Sequence, residues 1–180
     1  MKHPARIAAL AVAAVVIVFG VVLALNVGSD PQEDAKQSHL VGEAAPSFDL
    51  PDLDGGRVTL ADIAGKSAIV NFWNSWCGPC LDEAPALDRF YADHKDDSDF
   101  VMIGIVRDDE TKDVRAYVKK NGVGWKIALD PDSIAALDFG TRGQPETYAI
   151  SPSGVVAAAK YGQMSSAELE RFLDAARATG

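Results

Sequence analysis

The chain has 180 residues, of which 48% are hydrophobic, and its formal net charge at pH 7 is −9. A chain of this length can bury one substantial core, so a single domain with an appendage is expected. The acidic balance argues against nucleic acid as a partner, because phosphates require a basic surface. Two cysteines are also too few for the structural disulfide framework of a small secreted protein.

The first 40 residues predict a membrane anchor and a linker. Residues 7–25 contain no charged or strongly polar side chain. At about 1.5 Å per residue they nearly match a hydrocarbon core of about 30 Å, which predicts a transmembrane signal-anchor helix. Residues 1–6 carry Lys2 and Arg6, whereas all 26 acidic residues follow the apolar run. The positive-inside rule therefore predicts a single-pass protein of the cell membrane, with residues 1–6 in the cytoplasm.

A cleaved signal peptide is the alternative interpretation of the same segment, because it also begins with positive charge. Residues 26–40 are polar and predict a flexible linker. Residues 41–180 would then form the extracytoplasmic domain, which is periplasmic or extracellular.

The pattern over 41–180 predicts an α/β domain. Two short strands at about 41–50 and 54–60, joined by an Asp-Gly turn, precede a helical turn over 61–66. Pro85 should kink the first long helix, whose predicted buried face includes Leu81. The remaining strands are expected at about 68–73, 100–106, 125–129, 146–150 and 155–161, and the helices at 78–94, 110–120, 131–138 and after Ser165.

Both cysteines lie in Trp76-Cys77-Gly78-Pro79-Cys80, between a predicted strand and a predicted helix. Unpaired backbone N–H groups and the helix dipole stabilise a thiolate at a helix N-terminus. We therefore predict a dithiol site in which Cys77 attacks and Cys80 resolves, with their disulfide as the redox group and no separate cofactor. No metal is predicted, because His39 and His94 are isolated from the cysteines.

Four features together point to a known family. They are Phe72-Trp73-x-x-Trp76-Cys77-Gly78-Pro79-Cys80, Pro85 five positions later, Gly143-Gln144-Pro145-Glu146-Thr147, and the opening Gly42-x-x-Ala45-Pro46-x-Phe48-x-Leu50. The chain resembles thioredoxin-fold proteins, and more narrowly the membrane-anchored TlpA/ResA/DsbE group of thiol-disulfide oxidoreductases, often concerned with cytochrome c maturation. The resemblance implies a central mixed sheet flanked by helices, an N-terminal β-hairpin and an αβ insertion at about 108–129.

The resemblance also implies roles for individual residues. Cys77 should be exposed at the helix start, and Trp76 should close one side of the site unless it packs in the core. Pro145 should be cis and face the disulfide, leaving Gln144 to bind an extended partner segment. Gly78, Pro79 and Pro85 belong to the structural motif.

Two departures from ordinary thioredoxins are informative. Asn71 stands where thioredoxins have a buried aspartate, and asparagine cannot titrate. Glu83, three residues after Cys80, is the predicted replacement as a partly buried base with a raised pKa, the alternative being a solvated residue of the first turn. Glu146 is expected either as an acidic element beside the disulfide or as an exposed residue.

The resemblance implies an extracytoplasmic reductant of exported disulfide proteins, possibly apocytochrome c, which receives electrons from a membrane thiol protein. A disulfide-donating oxidant is the first alternative, and a copper-delivery module is the second. The opening Ala45-Pro46-x-Phe48 also suggests a peroxiredoxin, but Asn74-Ser75-Trp76-Cys77 lacks the Pro-x-x-x-Thr-x-x-Cys of that class.

Overall fold

The computed structural model describes residues 38–180 and, outside that range, only Ala13. The predicted anchor at 7–25 and nearly all of the predicted linker lie outside the described residues, so both stay predictions. Within the described part of the chain, no helix has the length and apolarity to cross a bilayer. Leu40, at the end of the predicted linker, is buried in the core of the domain.

The domain is built on a five-stranded mixed sheet in the order β5-β4-β3-β6-β7. Strands β3, β4 and β5 are parallel, whereas β6 runs antiparallel to both β3 and β7. The predicted N-terminal hairpin forms a separate antiparallel sheet of β1 and β2. The strands are β1 Asp49–Pro51, β2 Arg57–Thr59, β3 Ser67–Trp73, β4 Phe100–Val106, β5 Lys126–Leu129, β6 Glu146–Ile150 and β7 Val156–Tyr161.

Within residues 38–180, four α-helices accompany the sheet, and the predicted insertion is present as α2 followed by β5. A 3-10 turn over Leu60–Ile63 follows the hairpin. The helices are α1 Gly78–His94, α2 Thr111–Asn121, α3 Ile134–Asp138 and α4 Ser166–Ala178. Ser165 and Glu168 form the predicted capping box of α4. These elements confirm the predicted thioredoxin-like α/β fold.

Strand β3 is the centre of the domain, because all seven of its residues are buried. Alternate residues of a strand point to opposite faces of the sheet. Phe72 packs with Phe139 and Tyr148 on one face, together with the N-terminal hairpin. Ile69 packs with α1 and α4 on the other face. The carboxyl end of β3, which leads into the cysteine motif, is therefore fixed by hydrophobic packing on both faces of the sheet.

Helix α1 has the predicted bounds, but its buried face matches the predicted one only in part. Its buried residues are Cys80, Glu83, Ala86, Leu87 and Phe90, whereas Leu81 is 39% exposed. An apolar pattern alone misses this face, because a carboxyl group and a thiol belong to it. Pro85 lies inside the helix, which continues to His94 without interruption.

An ionic network joins the end of α1 to α4. His94 Nδ1 lies 2.9 Å from Asp97 Oδ2, and His94 Nε2 lies 3.0 Å from Glu170 Oε2. Arg177 binds Asp97 and Asp99. Burial lowers the pKa of His94, but its hydrogen bonds to Asp97 and Glu170 outweigh burial and leave that pKa raised.

His94→Gln should therefore destabilise the protein more at pH 6 than at pH 9. Because the pKa of His94 is higher in the folded protein than in the unfolded chain, its ion pairs stabilise the fold. This stabilisation is complete below the unfolded pKa of 6.5 and is lost as the pH rises through the folded pKa. We expect a cost of about 1 kcal/mol at pH 6 and less at pH 9, measured by urea unfolding. An equal cost at the two pH values would show that the ion pairs contribute nothing.

Candidate active site

The two cysteines form a disulfide at the start of α1. Cys77 is the N-cap residue of the helix, and its Sγ accepts a hydrogen bond from the backbone N–H of Cys80 at 3.2 Å. Gly78 and Pro79 make up the first turn, where a missing proline N–H costs nothing. On reduction, the helix N-terminus would stabilise a thiolate at Cys77.

Cys77 is not exposed in the disulfide form, which corrects the expectation for this residue. Only 6% of Cys77 and 3% of Cys80 are accessible. Both pack in a cluster whose other members include Trp73, Val114 and Ile127. The insertion supplies the last two of these residues, so the burial of the disulfide depends on an element that sequence spacing does not relate to the motif.

Trp76 lies on the surface beside the disulfide and does not belong to the core. The residue is 61% exposed, and its Nε1 donates a hydrogen bond to the backbone carbonyl of Asp108 at 3.1 Å. The Asp109 carboxylate accepts hydrogen bonds from the backbone N–H and the hydroxyl of Ser75, at 2.6 and 3.1 Å. The loop before α2 thus holds the residues that precede Cys77.

Glu83 and Asn71 form a buried polar pair behind the disulfide. Glu83 Oε1 accepts a hydrogen bond from Asn71 Nδ2 at 3.0 Å, and Glu83 Oε2 accepts one from the backbone N–H of Met164 at 2.9 Å. Asn71 Nδ2 also donates to Thr147 Oγ1 at 3.0 Å. The alternative of a solvated Glu83 is wrong, because only 2% of the residue is accessible.

Burial raises the pKa of Glu83 to about 7, although the hydrogen bonds from Met164 and Asn71 oppose this rise. Glu83 lies three residues after Cys80 on the same buried face of α1. Residues at this spacing are neighbours on a helix surface. The site therefore combines a dithiol with a carboxyl group that changes its charge near neutral pH.

The Gln144–Pro145 peptide bond is cis, as the resemblance implies. In the register of β3 and β6, Phe72 pairs with Glu146, so Pro145 lies at the edge where β3 ends and the cysteine loop begins. The backbone carbonyl of Pro145 accepts a hydrogen bond from the N–H of Gly162 at 2.8 Å. The binding role of Gln144 stays a prediction.

Sequence reasoning missed two residues that follow β7. Gln163 Nε2 donates to the carbonyl of Pro79 at 3.1 Å and to Asp82 Oδ2 at 3.3 Å. The next residue, Met164, supplies the backbone N–H that binds Glu83. A backbone donor leaves no signature in side-chain chemistry, so no motif could have identified Met164. For Gln163, the sequence offers only the preceding Gly162, which indicates a turn but gives no information about a contact with Pro79.

Glu146 is not exposed, which corrects that expectation, whereas its effect on the disulfide stays a prediction. It is 4% exposed; its Oε1 accepts a hydrogen bond from Tyr148 Oη at 2.6 Å, and its Oε2 accepts one from the backbone N–H of Arg142 at 2.9 Å. Strand alternation puts Glu146 and Tyr148 on the face of the sheet opposite to Thr147, which contacts Asn71. The Glu146 side chain therefore binds the loop that contains Pro145, through the N–H of Arg142, on the face of the sheet opposite to Thr147.

Tyr148→Phe should destabilise the domain by about 1–3 kcal/mol. The buried hydroxyl oxygen lies 2.6 Å from Glu146 Oε1 and 2.9 Å from the carbonyl oxygen of Phe139, so its one O–H is shared between two acceptors, and burial raises the pKa of the phenol. Its removal leaves two buried acceptors without this donor. Denaturant unfolding checks the prediction, with Tyr161→Phe as the control because Tyr161 is 52% exposed. Equal costs for the two variants would contradict this role of the hydroxyl.

A disulfide at the N-terminus of a helix that follows the central strand, with a cis-proline directly before the adjacent strand, defines a thioredoxin-like thiol-disulfide oxidoreductase. A family model described as the AhpC/TSA family matches residues 41–159. Since this match covers more than half of the chain, the protein belongs to the AhpC/TSA family.

Known proteins agree with this class. The chain is 33% identical to the thiol-disulfide oxidoreductase ResA of Bacillus subtilis over 140 residues, which cover 77% of each chain. It is 32% identical to the thioredoxin-like protein YneN of the same organism, over 74% of this chain and 78% of YneN. A solved structure of a putative thiol:disulfide interchange protein DsbE from Chlorobium tepidum matches with a TM-score of 0.69 and 29% identity, covering 76% of this chain and 96% of that one. The prediction of a thiol-disulfide oxidoreductase is confirmed.

Proposed function

We propose that the protein is a membrane-anchored, extracytoplasmic reductant that reduces disulfides in exported proteins, with apocytochrome c as the leading substrate. The observation that carries the proposal is the buried Glu83 carboxyl group beside the resolving Cys80. Such a group can accept a proton at neutral pH, which ordinary surface carboxylates with low pKa values do poorly.

The reaction has two thiol exchanges. The Cys77 thiolate attacks one sulfur of the partner's disulfide, and the other partner sulfur leaves as a thiolate that takes up a proton. Cys80 then loses its proton to Glu83 and attacks the Cys77 sulfur, which re-forms the Cys77–Cys80 disulfide and releases the second partner thiol. The protein thereby loses two electrons to the partner.

The surface around the site suits an extended partner segment. Trp76 and Leu81 offer exposed apolar area beside the disulfide, and Gln144 precedes the cis-proline at a position from which a strand-like segment can be bound. A depression beside Trp76 is lined by the insertion residues Asp108, Asp109, Glu110 and Asp113. The insertion thus lines an acidic depression beside Trp76.

The proposed cellular setting rests on the anchor predicted within residues 1–25. An anchor at 7–25 would keep the domain close to a membrane thiol protein that carries electrons from the cytoplasm. Extracytoplasmic compartments are oxidising, so the Cys77–Cys80 pair needs such a donor to act repeatedly as a reductant.

The test is a single-turnover reaction of the reduced protein with a peptide that carries an oxidised Cys-x-x-Cys-His haem-attachment sequence. We expect reduction of the peptide and a potential near the value of about −270 mV known for thioredoxin. A peptide with alanine in place of the histidine is the matched control for substrate choice. Oxidation of the reduced peptide, with a potential near about −120 mV, would instead establish a disulfide donor. Stoichiometric Cu(I) binding that survives a chelator, without peptide reduction, would establish copper delivery.

A further inference from the structure

A small cavity lies between α1, α2 and the sheet, next to the resolving cysteine. Its lining includes Cys80, Asn71, Trp73, Tyr117 and Trp125. The volume of the cavity is about 10 Å³. A single water molecule needs a cavity volume of roughly 10–15 Å³ and polar groups around it. The cavity is thus at the limit for one water and too small for an organic ligand.

Two hydrogen-bond donors in this lining have no protein acceptor. The indole Nε1 atoms of Trp73 and Trp125 are buried, and nothing within residues 38–180 accepts a hydrogen bond from either of them. Trp76 differs, because its Nε1 donates to Asp108. Buried N–H groups are costly to leave unpaired, and a bound water is the usual solution. Two such donors in one small cavity point to an acceptor between them.

Gly104 shows how close the two donors are. It pairs with Asn71 on β3 and with Ile127 on β5, so its missing side chain would face the cavity. A Cβ atom at this position would lie 2.6 Å from Trp73 Nε1 and 3.2 Å from Trp125 Nε1. The separation of the two indole nitrogens therefore cannot exceed the sum of these two distances. One water, about 2.9 Å from each donor, can bridge that separation.

Neighbouring rings fix both indoles. Trp73 packs on Tyr117 with ring centroids 5.1 Å apart, and Trp125 packs on Tyr91 at 5.5 Å. These ring contacts hold both donors at the cavity. This arrangement is a preformed polar site in an otherwise apolar cluster.

We propose that this cavity binds one water molecule, which accepts hydrogen bonds from both indole N–H groups and donates one to Sγ of reduced Cys80. The two lone pairs of the water oxygen take the two N–H groups, so its own O–H bonds are free to point at sulfur. When Cys80 loses its proton to Glu83, the water stabilises the thiolate and is not consumed. This effect rests on the proposed resolving role of Cys80, whereas the water site itself does not.

Several titratable groups lie on the elements packed around Cys80. Cys77 and Glu83 lie on the same helix, and Tyr117 faces the cavity from α2. Lys160 on β7 acts on Glu83 through its charge. A hydrogen bond to the thiolate favours the charged form, so the water should lower the pKa of Cys80.

Labelling the tryptophans of the full-length chain with ¹⁵N tests the water site directly. The chain has three tryptophans, so three indole N–H signals are expected. In the reduced protein, water-selective NOE spectra should show a long-lived water at Trp73 and Trp125, and the exposed Trp76 is the internal control. The absence of such a contact at either buried indole would overturn the proposal.

Replacing the donors tests the hydrogen bond to Cys80. Trp73→Phe and Trp125→Phe keep an aromatic ring but remove the N–H, and each should raise the pKa of Cys80 by about one unit, followed by the ¹³Cβ shift. Tyr91→Phe, which alters the ring packed on Trp125 without removing an N–H, should leave that pKa unchanged. A long-lived water with an unchanged Cys80 pKa in both tryptophan variants would refute the contact with sulfur. A water signal with no reduction of disulfide peptides would refute the proposed function alone.

Discussion

Replacing Cys80 with alanine should stop the reaction at the mixed disulfide and leave the partner attached to Cys77. The resolving thiol is one helical turn away, on the same helix that Cys77 caps. Intramolecular groups held in this way reach effective concentrations of about 10⁵ M or more, which free thiols in solution cannot match. Turnover should therefore fall to background while the covalent adduct accumulates.

Acid quenching, alkylation and mass spectrometry of the adduct measure this result and identify the partner. Cys77→Ala is the matched control, because it retains one thiol of the pair but removes the attacking one. An adduct on Cys77→Ala rather than on Cys80→Ala would reverse the two roles. Cys77 is the N-cap residue of α1, where the helix N-terminus stabilises a thiolate, and this position favours Cys77 as the attacking residue.

Glu83→Gln should remove most of the dependence of stability on pH between 5 and 8. The pKa of Glu83 is about 7 in the folded protein and about 4.5 in the unfolded chain. Between these values the folded state binds more protons, so the free energy of unfolding falls as the pH rises. The shift corresponds to about 3 kcal/mol. Glutamine cannot ionise and should abolish this fall.

Denaturant unfolding of the oxidised protein checks the prediction, because disulfide-bonded cysteines do not titrate. Glu168→Gln is the control. Its hydrogen bonds with Lys160 and Ser165 lower the pKa of Glu168 to about 2, so this carboxylate is ionised throughout the range. Its replacement should lower stability equally at pH 5 and pH 8. A full pH dependence in Glu83→Gln would show that Glu83 is not the responsible group.

The same variant should slow the resolving step. In the wild type, the rate of this step should rise as the pH passes through about 7, because Glu83 must be ionised to accept the proton of Cys80. Glu83→Gln should be about 100-fold slower at pH 7 and should lack that rise. Stopped-flow measurement on a preformed mixed disulfide separates this step from partner attack. An unchanged pH profile would exclude Glu83 as the proton acceptor.

The order of elements and the redox pair could be predicted from the sequence because both depend on local patterns. Strand β3 is a continuous apolar run, and the cysteines follow it directly. The placement of Asn71 on β3 and of Glu83 on the face of α1 that carries Cys80 could also be predicted, since Glu83 follows Cys80 by three residues. Their direct hydrogen bond joins residues 12 positions apart and required the fold.

The burial of Glu146 could not be predicted, because it depends on which residues of β6 point to each face of the sheet. A shift of one residue along a strand moves a side chain to the other face. The chain enters β6 from the Gln144–Pro145 loop, and sequence alone does not fix which face Glu146 takes. The burial of Cys77 could not be predicted either, because it depends on contacts with Val114 and Ile127 of the insertion.

The redox state of Cys77 and Cys80 in growing cells tests the central claim most directly. Cells are quenched with acid, and free thiols are then labelled with a maleimide that shifts the protein on a gel. A reductant supplied with electrons across the membrane should carry a substantial fraction of free dithiol, and that fraction should fall when the electron supply is blocked. Finding the pair entirely as disulfide in untreated, active cells would contradict the account and favour a disulfide donor.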